Sequence, residues 1–309
     1  YITLTKNTNW WNRDTNLSLE KIVVNLYTSV GELYNSFKIG NVDMVATSNN
    51  NLSDYIGTIG YTPKEIKGRE HDFIALNTQN TLLSREEVRK AISYSIDKNN
   101  IVSSVYNNKY YTSSFPLDFG SWTYQEQDAS SGYNVEQAKQ LLTDAGWTYR
   151  NKRWQKTENY RTQRLELNMI VKASNQNQVA VAENISAQLA NQGIIINVQQ
   201  YSDEQYNIAL QNKSYDMILC SVNLSPNRDM SLFFGENNLA NYSTDEITNI
   251  MNEVKNTTDE EIIKNDYKRL AEIYKNNIPY ISLYNNKYTI AYSSELVGNM
   301  SPNWFNPFF

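Results

Sequence analysis

One histidine and one cysteine in 309 residues leave little material for chemistry. A catalytic site needs a nucleophile with a base, or a metal with its ligands, and a lone His71 cannot build a histidine-based metal centre. Its context, Glu70-His71-Asp72, reads as a loop-to-strand boundary with the imidazole in solvent. Cys220 ends an apolar strand and reads as a buried, inert thiol; a single cysteine allows no internal disulfide. Eleven glycines, widely scattered, form no phosphate-cradling loop, and no G-x-S-x-G elbow occurs. Carboxylate pairs fall in first helical turns, as at Glu86–Glu87 and Asp259–Glu260, where the helix dipole accounts for them. No enzyme activity and no cofactor are expected.

Long apolar runs are missing too. Mean hydropathy is -0.61, and no stretch reaches the 18 or so apolar residues of a membrane span. Charge of one sign is not in excess: 28 bases against 33 acids give a net -5. No basic block stands out along the chain, which argues against nucleic acid or an anionic membrane as the main partner. What is present is 40% hydrophobic residues, enough for a core, and a length that favours two domains. Asn, at 43, and Tyr, at 23, are abundant. They are spread throughout, as AT-rich codon usage produces.

The pattern of elements is that of an α/β protein. Alternating or apolar strands are expected at Tyr1–Lys6, Lys21–Tyr27, Asp72–Leu76, Leu165–Lys172, Ile194–Val198 and Tyr215–Cys220, with a last long one at Pro279–Tyr292. Helix starts are expected at Ser84–Glu87, Asp97, Asn134–Gln137, Ser202–Gln205, Ser243–Glu246 and Thr257–Glu260. Gly146 and Gly193 stop helices. Thr148–Arg164 reads as a polar hairpin.

Four stretches carry a resemblance. KNTNWW (6–11), followed by SFKIGNVDM (36–44), is similar to K/R-N-P-x-Y-W and L-x-x-G-E-I-D. VRKAISYSIDKNNI (88–101) is similar to V-R-Q-A-I-x-Y-A-I-D-R-x-x-I, the most specific match. YNVEQAKQLLTDAGW (133–147) resembles Y-x-P-E-K-A-K-x-L-L-A-E-A-G, and IPYISLY (278–284) resembles x-P-x-I-P-L-Y. In this order and spacing they resemble the peptide-, dipeptide- and nickel-binding solute receptors of ABC importers, solute-binding protein family 5. The resemblance implies a two-lobed, periplasmic-binding-protein-like α/β fold (type II, cluster C) with an incomplete first lobe. Residues 1–97 would belong to lobe I, 98–283 to lobe II, and 284–309 would return to lobe I, with crossings near Asp97–Ile101 and Tyr284–Asn286.

The function it implies is capture of a peptide-like small solute for ABC permease subunits. The alternatives are a sugar, metal-chelate or signalling-peptide receptor, or a non-transporting extracellular interaction module. The expected location is extracellular and cell-surface anchored, or periplasmic in a Gram-negative cell. Nucleic acid is not an expected partner, and the membrane enters only through a lipid anchor on an upstream portion that the relatives carry.

The candidate ligand-binding residues are Asn77, Trp122, Lys172, Ser221, Asn223, Ser225 and Asn227. Peptide-binding members follow the strand Y-D-M-x-L with G-W-x-x-D, whose Asp pairs with the peptide ammonium. Here YDMILC (215–220) continues with Val222 at the Trp position and Ser225 at the Asp position. Removing one partner of a buried ion pair costs about 3–5 kcal/mol, so a free-amino peptide is not the expected ligand. Asn223 and Asn227 offer neutral donors and acceptors instead. Asp229 is the nearest carboxylate downstream, at a helix start. Lys172 stands beside Ala173, where dipeptide binders place an Arg for the ligand carboxylate, and Trp122 sits on a polar loop as an aromatic platform.

Overall fold

The computed structural model describes residues 1–12, 18–47, 60–117, 122–123, 132–225 and 229–297. In chain order its strands and helices are β1 (Ile2–Thr5), β2 (Lys21–Val24), α1 (Val30–Lys38), β3 (Met44–Thr47), β4 (Tyr61–Leu76), α2 (Glu86–Tyr94), α3 (Lys98–Tyr106), β5 (Tyr110–Thr112), α4 (Val135–Asp144), β6 (Thr148–Arg150), β7 (Arg153–Glu158), β8 (Arg161–Arg164), β9 (Glu166–Lys172), α5 (Gln176–Asn191), β10 (Ile195–Tyr201), α6 (Asp203–Asn212), β11 (Met217–Asn223), α7 (Ser231–Phe234), α8 (Asp245–Asn256), α9 (Glu260–Asn277) and β12 (Tyr280–Ser293).

Internal contacts divide the chain into two units, 67–287 and 1–66 with 288–309. The division falls inside β4, ahead of Asp97–Ile101, and inside β12 just after Lys287, next to the Tyr284–Asn286 segment. Residues 67–97, expected with the first lobe, belong to the larger unit. The reason is packing: Ile74 and Leu76 of β4 and Val88, Ala91 and Ile92 of α2 share one buried cluster with Leu142, Leu167 and Ile185.

The sheet of the larger unit runs β10-β9-β11-β4-β12, and β5 also pairs with β12. β10 and β11 lie parallel to β9, whereas β4 is antiparallel to β11. Side chains alternate across it, as a period of two requires. On one face Leu167, Met169, Met217, Leu219, Ile74 and Leu283 pack beneath α2, α3, α4 and α5. On the other, Ile170, Ile218, Cys220, Phe73, Ala75 and Tyr280 pack beneath α6, α7, α8 and α9. Both faces are covered, which is why these strands read as apolar runs.

The helix starts are set by short polar side chains. Ser202 and Gln205 form a complete capping box at α6, and Asn134 caps α4 by accepting from Gln137 N–H. At α2 the expected box does not form. The helix begins at Glu86 with Arg85 at the cap position and no side-chain cap; Ser84 lies one residue earlier, where its hydroxyl donates to the Thr81 carbonyl. Thr244 and Asp259, one and two residues into their expected motifs, cap α8 and α9.

In the smaller unit β1 and β2 pair antiparallel, and the end of β12 pairs with β3 at Thr289–Tyr292. Helix α1, capped by Ser29, buries Tyr34 and Phe37 against Val45 and Ala291. No helix among the described residues is long and apolar enough to cross a membrane.

Candidate solute-binding edge

Three parallel strands, β9, β10 and β11, end on the same edge of the larger unit, at Lys172, Tyr201 and Asn223. The carboxyl ends of strands are where open α/β sheets gather ligand-binding groups. Antiparallel register brings β4 to this edge: Ser221 stands opposite Asp72, Val222 opposite His71 and Asn223 opposite Glu70. β12 contributes Tyr284, Asn285 and Asn286, all buried.

Two carboxylates therefore meet the Ser221–Asn223 segment. Ser221 Oγ donates to Glu70 Oε1 at 3.2 Å. Glu70 N–H donates to Asn286 Oδ1 at 3.1 Å, and Asn286 Nδ2 returns a 3.4 Å bond to Glu70 Oε2. Asp72 is 5% exposed. Burial pushes its carboxyl up to about 6, and Glu70 adds to the rise; the neighbouring polar groups of Ser221, Tyr284 and Gln178 offset it only in part. The Tyr284 hydroxyl also lies 3.1 Å from that of Tyr106.

His71 is not at the surface. β4 starts eleven residues before the expected strand, at Tyr61, so His71 lies inside it and is fully buried. Nδ1 is 2.9 Å from Asn285 Oδ1 and Nε2 is 3.2 Å from Ser282 Oγ. Burial holds its pKa down at about 4, so the ring is neutral: Nδ1–H donates to Asn285 and Nε2 accepts from Ser282. The Cys220 thiol is buried and pushed up to about 12 by desolvation, the inert character expected of it.

The structure brings together only part of the expected site. Ser221 and Asn223 are exposed on the last residues of β11, and Ser225 is half-buried just beyond. Lys172 ends β9, with Nζ 4.9 Å from the centre of the Tyr206 ring, a cation–π contact that orients the ammonium. Trp122 is 41% exposed in a turn. Asn227 lies outside the described residues.

Asn77 belongs elsewhere. It follows β4 at the opposite edge of the sheet, where Leu76 pairs with Met217. There it lines a pocket of about 380 Å³ with Asn80, Asn168, Gln199, Lys213 and Asp216. Its Nδ2 donates to the Tyr215 carbonyl at 2.9 Å and its Oδ1 accepts from Asn241 at 2.9 Å. Asp229 Oδ1 accepts from Ser231 N–H at 2.9 Å, at the start of α7. Glu70 and Asp72 are what the sequence reading missed. The apolar run that follows them was the only signal, and strand pairing was needed to set them against Ser221.

The family model for "Bacterial extracellular solute-binding proteins, family 5 Middle" matches residues 1–241. Among curated proteins, heme-binding protein A of Haemophilus influenzae is 25% identical over 88% of this chain and 49% of its own length. The oligopeptide-binding protein AppA of Bacillus subtilis is 24% identical over 69% of this chain and 40% of its own. The chain thus spans about half the length of the curated relatives it matches. Among solved structures, HbpA2 from Haemophilus parasuis superposes with a TM-score of 0.84 at 19% identity, covering 99% of this chain and 60% of that one. A nickel ABC transporter protein from Bacillus halodurans gives 0.81 at 17% identity, covering 97% and 63%.

Proposed function

Because the chain belongs to the family 5 bacterial extracellular solute-binding proteins, we propose that it is part of a receptor that captures a peptide-like solute outside the cytoplasm and delivers it to ABC permease subunits. The observation that carries this reading is the edge formed by Lys172, Ser221, Asn223 and Glu70. It offers a cation, an anion, a hydroxyl and a carboxamide within one short stretch of strand ends. A peptide presents matching groups: a terminal carboxylate for Lys172, amide N–H groups that donate to Glu70, and amides that exchange hydrogen bonds with Ser221 and Asn223. The residues at this edge bind and orient; the reading involves no bond-making step and no cofactor. Strands β4 and β12 carry the chain from one compact unit to the other.

The test is native mass spectrometry of the protein purified from its own host, followed by identification of the released ligand. A peptide released on denaturation, and lost from a Ser221→Ala/Asn223→Ala variant, supports the proposal. A heme or a nickel chelate in its place would replace peptide as the solute class.

A further inference from the structure

The larger unit carries a charged surface that the solute edge does not use. Residues 148–164 hold six bases and one acid, a local charge of +5 on a chain whose net charge is -5. The charge is legible in the sequence itself, against the expectation that no basic block stands out along the chain. Strand pairing concentrates it, because β6, β7 and β8 form a separate three-stranded meander.

Register sorts its side chains onto two faces. Tyr149 pairs with Trp154, Lys156 with Gln163 and Glu158 with Arg161. Their face is the anchored one. Trp154 is buried and its Nε1 donates to the Gln192 carbonyl at 2.8 Å. The single acid, Glu158, is taken up by Arg85 at 2.6 Å and Lys156 at 2.7 Å.

The opposite face carries Arg150 directly across from Arg153, and Arg164 across from Gln155, with Thr148, Thr157 and Thr162 between them. All three arginines are exposed. Arg153 reaches Glu166 only at 3.7 Å. Arg150, Lys152, Arg161 and Arg164 have no acidic partner among the described residues. Like charges directly opposite in a sheet are destabilising, so the fold itself gives no reason for this arrangement.

The turn between β7 and β8 adds an independent observation. Asn159 and Tyr160 both have positive φ, 49° and 62°. Such two-residue turns favour Asn-Gly, and a bulky residue in the left-handed region carries strain. Yet the second position holds Tyr160, whose ring is fully exposed. An aromatic ring with a polar tip held out at a turn suits the boundary between headgroups and acyl chains.

We propose that this meander docks the protein onto an anionic phospholipid bilayer. The arginine face meets the phosphates and Tyr160 enters the interface. Guanidinium groups bind phosphate oxygens in pairs, which ammonium groups cannot do. Four of the six bases here are arginine. The contact is distinct from any lipid anchor.

Vesicle co-sedimentation of the 309-residue protein tests this, with phosphatidylcholine alone and with about 30% phosphatidylglycerol. Binding is expected only to the anionic vesicles and should weaken as salt rises. Each basic residue at such a surface contributes about fivefold, so Arg150→Gln/Arg153→Gln/Arg164→Gln should lower partitioning roughly a hundredfold. Tyr160→Ser should lower it several-fold. The triple variant should melt at the same temperature as the parent or higher, since the opposed charges are gone. Equal binding to both vesicle types, no binding to either, or undiminished binding by the triple variant would overturn the proposal. Retention on heparin or DNA without vesicle binding would also overturn it and assign the patch to another polyanion.

Discussion

His71 Nδ1 lies 2.9 Å from Asn285 Oδ1, joining β4 to β12 through a fully buried pair. The next residue, Asp72, is also buried but points to the other face of the sheet, toward Tyr284 and Ser221. Adjacent residues thus carry opposite titration behaviour. His71 is held at about 4 from its ordinary 6.5. Asp72 is raised to about 6 from 3.8.

The signs of these shifts predict a masked pH dependence. Between about pH 4 and 6 the native protein holds more proton on Asp72 than the unfolded chain does, so this group's contribution falls as pH rises. Over the same range it holds less proton on His71, so that contribution rises with pH. The two nearly cancel. Asp72→Asn should expose the histidine slope: urea-unfolding stability climbing with pH from about 4 to 6.5 by up to ~1.4 kcal/mol per pH unit. His71→Gln should show the opposite trend between about 4 and 6. Profiles parallel to the parent in both variants would contradict the assignment.

Arg89, within the most specific motif, is a structural residue. Its Nε donates to the Asn277 carbonyl at 2.7 Å, and its Nη1 to Leu83 and Ser84 carbonyls at 2.8 and 3.2 Å. It is 3% exposed and ties α2 to the end of α9. Arg89→Met should cost about 2–4 kcal/mol by leaving three carbonyls unsatisfied. Arg89→Lys should recover only part, since one ammonium cannot span them. Chemical denaturation of the two variants provides the measurement.

Gly193 has φ +80°, and a Cβ there would meet the Tyr149 ring and come within 3.2 Å of the Lys152 carbonyl. Gly193→Ala should cost about 1–3 kcal/mol from strain and crowding together. The effect should be local. The Trp154 amide, which donates to the Gly193 carbonyl at 3.1 Å, should exchange hydrogen faster, while amides of β9 and β11 keep their protection.

The resemblance that sets Ser225 at the position of an acid implies that the protein, as its host makes it, binds a peptide and its N-acetylated form with equal affinity. Calorimetry on the two forms decides this. A tenfold loss on acetylation would identify a carboxylate at the site. The structure points to Glu70 for that role, since Asp229 is engaged by Ser231; Glu70→Gln should then remove the difference.

The sequence by itself determined the α/β class, most helix starts, the buried strands and the family. These depend on local rules: side-chain period, capping oxygens and the glycines at 146 and 193, whose positive φ the backbone demands. The sequence did not determine which residues oppose one another. A strand's partners come from elsewhere in the chain, and the energy of pairing depends on both. Only the tertiary structure moved His71 from surface to core, set Glu70 and Asp72 against Ser221, placed Asn77 at the opposite edge of the sheet, and put one division between compact units inside β4. The same holds for the arginines at 150, 153 and 164. Their basic segment is legible in the sequence, but register alone stacks these three on one face.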